Sequence, residues 1–385
     1  MADRIDQQIR FLTEADLLKH VDRANVLMDA SRPENTAEHC WHLALWAMVM
    51  AEYVPENCSL ARTIEMALLH DLVEIDAGDH PIHLPQDYHA IKVAERAAAD
   101  RIFALLPDDQ NHHLRAIWED FEAGETAEAQ FATQLDMTQP LFQALNDAAI
   151  NDTKRAIVHQ ILTHGRARAL KQSWPHVHAF AMDQLSGGSM QLDADLTARL
   201  DFLAEADKLK SVLRGTSLND GSRHENSAEH SWHIALYAMI LAEHANKPVN
   251  VDRVIQMLLI HDLVEIDAGD VPIHSAKARD ASALEAIEKA AADRIFGILP
   301  DAQATAFRAL WDEFEDAQTD DAIFAKSIDR MQPVVSNLES GGASWIQYLV
   351  TREQVQSRVG DKVNRGATAL WAALENRIDN WFIAK

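Results

Sequence analysis

Cysteine is nearly absent: Cys40 and Cys58 are the two in 385 residues, and they form no Cys-x-x-Cys pair, so neither a disulfide framework nor a redox motif is implied. Glycine (13) and proline (11) are scarce as well, too few for the tight turns of an all-β chain, which favours helices joined by short loops. No apolar run approaches the roughly 18 residues of a membrane-crossing helix. The opening MADRIDQQIRFLTEAD is polar and acidic where a secretory leader would be basic and then apolar; a soluble cytoplasmic protein is expected. Basic residues are also in deficit. The 35 Lys and Arg against 60 Asp and Glu leave a net charge of −25, which repels nucleic acid polymers and anionic membranes. A small phosphorylated substrate stays compatible, because a few arginines or a bound cation reverse the sign inside one pocket.

What the chain does contain is itself, twice. ENTAEHCWHLALWAMVMAE, from Glu34, returns as ENSAEHSWHIALYAMILAE from Glu225, at an offset of 191. HDLVEIDAGD from His70 recurs letter for letter from His261 at the same offset. AAADRIFALLPD from Ala97 and FATQLDMTQP from Phe131 match segments offset by 193, which places a two-residue insertion of the second copy between His83 and Ala97, in a loop. Beyond Pro140 and Pro333 the copies diverge. Weak patterning around Ser186–Ser189 sets the junction there, giving domains 1–188 and 189–385. Apolar positions such as Leu43, Ala44, Ala47, Met48 and Ala51 recur at helical spacing. Asn35-Thr36 and Asn226-Ser227 supply N-caps, and Gly78 and Gly269 close a later helix. No strand alternation is convincing.

His70 and Asp71 are adjacent, and on one helix Glu74 would share their face. A divalent cation needs more ligands, and Mn²⁺, Fe²⁺, Co²⁺ or Zn²⁺ accept mixed imidazole and carboxylate sets. His39 upstream and Asp136 about sixty residues downstream complete a candidate site. The second copy repeats it as His230, His261, Asp262 and Asp329, with Glu265 beside them.

This ordered set, E-N-T-A-E-H with His39, H-D-L-V-E-I-D-A-G-D from His70 and Asp136 before Gln139-Pro140, with its counterparts at His230, His261 and Asp329, resembles the HD-domain superfamily of metal-dependent phosphohydrolases, and within it the 5′-deoxynucleotidases. The resemblance covers roughly the first 140 residues of each copy. It implies an all-α fold of two tandem HD helical bundles, one divalent metal ion per domain (Mn, Co, Fe, Zn or Mg), and release of phosphate from nucleoside 5′-monophosphates or similar small monoesters. It further implies that Glu74 and Glu265 orient or activate a metal-associated water, that Arg23 and Arg214 grip the phosphate, and that Asp79 and Asp270 contact the sugar. Arg32 and Arg223 are a second repeated arginine pair, and His83 and His274 a repeated histidine pair. Relatives often dimerise, so the fusion is expected to form an intramolecular pseudo-dimer, with further self-association left open.

Two departures matter. Where some deoxynucleotidases carry a tryptophan that crowds a ribose 2′-hydroxyl, this chain has Ala24-Asn25 and Gly215-Thr216. Near the last ligand Thr133 and Met137 replace the second copy's Lys326 and Arg330, so unequal sites are expected. One alternative is that one copy is a non-catalytic metal- or nucleotide-binding module. Another is an HD-fold dinuclear iron oxygenase, which needs extra histidines; the first copy offers His83, His89, His112 and His113, the second only His274 between Asp262 and Asp329.

Overall fold

The apolar stripes fold as helices in the computed structural model, which describes residues 2–81, 86–274 and 281–385. The first copy runs α1 (Ala2–Ala15), a 3₁₀ turn Asp16–His20, a ribbon of β1 (Asp22–Val26) and β2 (Pro33–Asn35), α2 (Thr36–Val49), α3 (Leu60–Leu69), α4 (Glu74–Ala77), α5 (Tyr88–Phe103), α6 (Asp108–Ala123), α7 (Ala127–Leu145), α8 (Asp152–Thr163), α9 (Leu170–Ser173) and α10 (Pro175–Leu185). The second repeats this order as α11 (Ala194–Ala206), β3 (Leu213–Ser217), β4 (His224–Asn226), α12 (Ser227–Leu241), α13 (Val251–Ile260), α14 (Glu265–Ala268), α15 (Ala281–Phe296), α16 (Asp301–Asp316) and α17 (Asp320–Glu339). It then departs, with α18 (Ala343–Gln347), α19 (Arg352–Val355), a π-helical turn Gln356–Gly360, α20 (Asp361–Gly366) and α21 (Thr368–Ile383). The all-helical expectation holds. Each copy adds one short antiparallel ribbon that the sequence did not betray, since strands of five and three residues are too short to show alternation.

The central element of each copy is the helix after the E-N motif. Asn35 caps α2 through Glu38 N, and Glu38 reaches back to Asn35 N, a full capping box; Asn226 and Glu229 repeat it on α12. All 14 residues of α2 are buried, because it is covered by α3, α7 and α12 together. A helix enclosed on all sides has no use for a polar face. The two capping boxes also cross-link. Asn35 Nδ2 donates to Glu229 Oε2 at 2.8 Å and Asn226 Nδ2 to Glu38 Oε1 at 2.6 Å. One hydrophobic core runs through both copies, and the exchange is reciprocal: α1 packs on α12, and α11 on α2.

Arg32 and Arg223 belong to this interface and not to a phosphate site. Each forks onto the capping glutamate of its own copy, Glu38 or Glu229, and donates to the carbonyl of Lys210 or Lys19 across the join.

One expectation needs correction. His70, Asp71 and Glu74 do not lie on one continuous helix. α3 ends at Leu69, and a turn tightened to i→i−3 bonds (Leu72 N to Leu69 O, Glu74 N to Asp71 O) leads into α4. Tightening leaves carbonyls without helical donors, and tryptophans take them. Trp118 donates to His70 O and Trp311 to His261 O, each at 3.1 Å, from within the copy. Gly78 and Gly269 then end α4 and α14 at φ +76° and +71°, as expected of helix-closing glycines. His83 lies outside the described residues.

Candidate metal centres

The break after α3 brings His70 Nε2 to 3.1 Å from Asp71 Oδ2. α2 contributes His39, whose Nε2 is 3.2 Å from Asp136 Oδ1 and 3.7 Å from Asp71 Oδ2. α7 contributes Asp136, 3.9 Å from His70 Nε2. The second copy matches: His261 Nε2 to Asp262 Oδ1 is 3.0 Å, His230 Nε2 to Asp329 Oδ1 3.3 Å, and His261 Nε2 to Asp329 Oδ1 3.8 Å. All four residues expected at each site converge. Pro140 and Pro333 follow the last aspartate by four, so the carbonyls of Asp136 and Asp329 have no i+4 amide to accept.

The ring orientations say what could sit between them. His70 Nδ1 donates to Ala67 O at 3.0 Å and His261 Nδ1 to Leu258 O at 2.8 Å. His39 Nδ1 faces Gln139 Oε1 at 3.0 Å and His230 Nδ1 faces Gln332 Oε1 at 3.1 Å. Each imidazole is thus anchored through Nδ1 and presents Nε2 to the carboxylates. His70 Nε2 and His261 Nε2 are buried without a hydrogen-bond partner, at ion-pair distance but misaligned with their neighbouring aspartates. Two imidazole nitrogens and two carboxylates around one point fit a borderline divalent cation. Cys40 does not join them, since its Sγ lies 3.9 Å from His70 on the Nδ1 side, and Ser231 replaces it in the second copy.

Electrostatics agree. Burial opposes a charge on His70, but Asp71 and Cys40 outweigh it and hold the imidazole well above its ordinary pKa. Burial likewise pushes Asp136 up, yet its bond to His39 and the charges of His70 and His39 bring it down to about 2. Asp262 is brought to about 2 by His261 and Arg214 against the same burial. In the first centre a proton on His70 balances the aspartates, the place a divalent cation would take.

Three further groups face each centre. Arg23, on β1, donates to Asp71 Oδ2 at 2.8 Å and lies 3.8 Å from Asp79 and 4.0 Å from Glu74. Arg214, on β3, pairs with Asp262 and lies 3.9 Å from Glu265. Burial, then Asp71 or Asp262 alongside, raises Glu74 and Glu265 well above the usual carboxylate range. Their Oε2 atoms accept from Thr36 Oγ1 (2.8 Å) and Ser227 Oγ (2.5 Å), the first residues of α2 and α12. Asp270 Oδ2 accepts from Gly215 N at 2.9 Å, fixing β3. A Cβ on Gly215 would meet the Pro272 ring at 2.6 Å, so a side chain there would have to displace that ring. The second centre opens into a cavity of about 910 Å³ lined by these residues with Lys326, Arg330 and Tyr348. Lys326 there pairs with Glu315 at 2.8 Å and Arg330 Nε lies 3.5 Å from Asp329.

From sequence, Thr36 and Ser227 are expected only as cap residues and Gln139 and Gln332 only as motif neighbours of the last aspartate, not as partners of the site. Their signal was present: all four lie inside segments repeated between the copies.

Of the histidines weighed for a second metal, His89, His112 and His113 are exposed. His274 is 3.3 Å from Arg358 Nη1, and burial with Arg358 and Arg330 lowers it to about 4. A nitrogen facing guanidinium is a poor cation ligand.

A ribbon, a central buried helix and a broken His-Asp helix closing on an aspartate of a long helix define the HD type of helical metal-binding domain. The chain belongs to the HD domain family, whose model matches residues 15–178 and 206–371. Among curated proteins it is similar to 5′-deoxynucleotidase HDDC2 of Homo sapiens, 32% identical over 139 residues, which is 35% of this chain and 66% of that one, just under two thirds of its length. A 5′-deoxynucleotidase of Enterobacter sp. (strain 638) is 27% identical over 40% of this chain and 80% of its own. Among solved structures, a predicted metal-dependent phosphohydrolase from Magnetospirillum magnetotacticum MS-1 is 45% identical, with 49% of this chain and 93% of that chain covered and a TM-score of 0.46.

Proposed function

We propose that the chain is a metal-dependent phosphohydrolase that releases phosphate from nucleoside 5′-monophosphates or similar small phosphate monoesters, with one divalent ion (Mn, Co, Fe, Zn or Mg) in each copy. The supporting observation is an arrangement made twice: two anchored imidazoles and two carboxylates around one point, with an arginine and a glutamate of raised pKa beside them. When bound, the metal polarises a phosphoryl oxygen and lowers the pKa of attached water. His39, His70, Asp71 and Asp136 would hold it in the first copy, and His230, His261, Asp262 and Asp329 in the second. Glu74 and Glu265, oriented by Thr36 and Ser227, take the proton of the attacking water. Arg23 and Arg214 turn from the aspartates to the phosphate, for which a guanidinium fork is well shaped. Asp79 and Asp270 present a carboxylate to a sugar hydroxyl. Ala24-Asn25 and Gly215-Thr216 supply no tryptophan against a 2′-hydroxyl, so the test panel includes both ribo- and deoxyribonucleotides.

The reading also takes the copies as domains 1–188 and 189–385, paired as a pseudo-dimer within one cytoplasmic chain, with no nucleic acid polymer or membrane as partner. No described helix is long and apolar enough to cross a membrane. The test is phosphate release from a panel of ribo- and deoxyribonucleoside monophosphates with Mn²⁺ or Co²⁺. The intact chain is compared with His70→Ala/Asp71→Ala and His261→Ala/Asp262→Ala. Partial loss in each variant is expected; loss in the second alone makes the first copy a binding module. No release above the metal blank overturns the reading, and two irons per site would point to an oxygenase.

A further inference from the structure

Two lysines have no exposed side-chain surface at all, and both lie on the join between the copies. Lys19 Nζ, from the first copy, bonds Asp16 Oδ1 (2.5 Å), Glu225 Oε1 (2.7 Å) and His233 Nδ1 (3.0 Å). Lys210, its equivalent at an offset of 191, bonds Asp207 Oδ1 (2.5 Å), Glu34 Oε1 (2.6 Å) and His42 Nδ1 (3.0 Å). Burying an ammonium group is costly unless every donor is used. Here all three donors of Lys19 are spent, and two of them cross into the other copy.

From each lysine a relay of polar atoms runs into the opposite metal centre. On the second side, Glu225 Oε1 accepts from Lys19 and also from Gln332 Nε2 at 3.0 Å. That bond, together with one from Gln332 Nε2 to Ser336 Oγ at 3.1 Å, holds the Gln332 amide so that its Oε1 faces His230 Nδ1 at 3.1 Å. An acceptor at Nδ1 requires the proton there, which leaves the Nε2 lone pair for a metal. Glu225 Oε2 lies 3.2 Å from the same ring nitrogen and 3.7 Å from Arg214 Nε. On the first side, Lys210 fixes His42 and approaches Gln143 Oε1 at 3.5 Å. Gln139 Nε2 contacts both, at 3.3 and 2.6 Å, and its Oε1 faces His39 Nδ1 at 3.0 Å. In each relay the lysine is the member supplied by the other copy.

We infer that each metal centre is assembled from both copies: Lys19 and Lys210 are positioning residues that fix the tautomer and orientation of the ligand histidine, His230 or His39, in the opposite half. The inference rests on the metal reading above and not on the substrate. Among the described contacts, neither Asp16 nor Lys19 bonds a side chain of the first centre, so substitutions there act on the second alone.

The test reads Co²⁺ binding by visible absorption in the full chain, in two backgrounds. His70→Ala/Asp71→Ala leaves the second centre to report, and His261→Ala/Asp262→Ala leaves the first. Lys19→Met is expected to weaken Co²⁺ at the second centre by about 10-fold, the lower end of the scale for losing a direct partner of a ligand histidine, because Lys19 acts on His230 through Glu225 and Gln332. The first centre should stay within about 3-fold, and Lys19→Arg should restore most of the loss. Where substrate turns over, saturating Co²⁺ should recover most of kcat. Should Lys19→Met fail to fold, Asp16→Asn/Lys19→Met removes a charge of each sign from the first copy and carries the same expectation. An unchanged second centre, or equal weakening at both, overturns the proposal. Cross-copy loss of Co²⁺ without any phosphate release would leave it standing and sink the hydrolase reading instead.

Discussion

The indole of Trp41 donates across the join to the carbonyl of Leu259 at 3.0 Å, two residues before His261; Trp232 does the same to Leu68, two residues before His70. Leu263 N bonds Ile260 O and Leu72 N bonds Leu69 O, so without the tryptophans these two carbonyls would be buried and unpaired. Trp41→Phe keeps most of the ring volume and removes the donor. It should destabilise the chain by about 1–3 kcal/mol in urea unfolding, the cost of stranding a buried acceptor. A neutral result would mean that water satisfies Leu259.

Glu265 is the proposed base of the second centre and is no metal ligand. In the His70→Ala/Asp71→Ala background, Glu265→Gln should lower kcat by about 100-fold or more while Co²⁺ binding persists. Loss of the metal together with the rate would assign Glu265 to the ligand set.

The two repeated arginine pairs should separate cleanly. Arg214→Ala removes the guanidinium facing the second centre and should raise KM by about 10-fold or more in the same background, as loss of a charge-assisted phosphate contact does. Arg223→Ala breaks its fork onto Glu229 and its bond to Lys19 O; stability should fall with KM little changed. A KM effect from Arg223 equal to that of Arg214 would contradict the placement of Arg223 at the interface.

Removal of metal should lower the melting temperature, because the aspartates and orphaned Nε2 atoms lose their shared cation. A ligand at about 100 times its Kd stabilises by about 2.7 kcal/mol per site. Scanning calorimetry of EDTA-treated chain with and without added Mn²⁺ measures it. The His70→Ala/Asp71→Ala variant should show a smaller shift than the intact chain.

His233 is buried beside Lys19, and burial followed by the lysine's charge lowers its pKa from 6.5 to about 3. The unfolded chain then binds a proton that the folded chain refuses. Stability contributed by this group is full above about pH 6.5 and drains as pH falls toward 3, by roughly 1.4 kcal/mol per pH unit in the middle of that window. His42, also buried, is lowered in the same direction by burial and Lys210. His233→Gln should flatten the pH slope of the unfolding free energy between about pH 4 and 6 by nearly that amount. An unchanged slope would show His233 charged in the folded state.

The sequence showed the helices and the eight converging His and Asp residues because those segments repeat nearly letter for letter and have helical spacing. The break after Leu69 was not legible: nothing in LLHDLVEID stops a helix, and the turn is held by Trp118 and Trp232 from distant segments. The ribbons carrying Arg23 and Arg214 were too short to show alternation. Lys19 and Lys210 were overlooked although Ala15-Asp16 and Leu18-Lys19 recur at Ala206-Asp207 and Leu209-Lys210. A lysine three residues after an aspartate looks like a solvated ion pair, and only the packing of α1 on α12 and α11 on α2 puts it inside.

The reciprocal exchange of α1 and α11 has a consequence for how the halves can change. In a two-fold pair of separate chains, every substitution at the join appears twice and must suit itself across the axis. Tethered in one polypeptide, the partners meet at high effective concentration and each position is free to differ from its mate. Thr133 and Met137 opposite Lys326 and Arg330, and Cys40 opposite Ser231, are differences of this kind. A shared scaffold can therefore hold one pocket constant while the other drifts toward a different ligand.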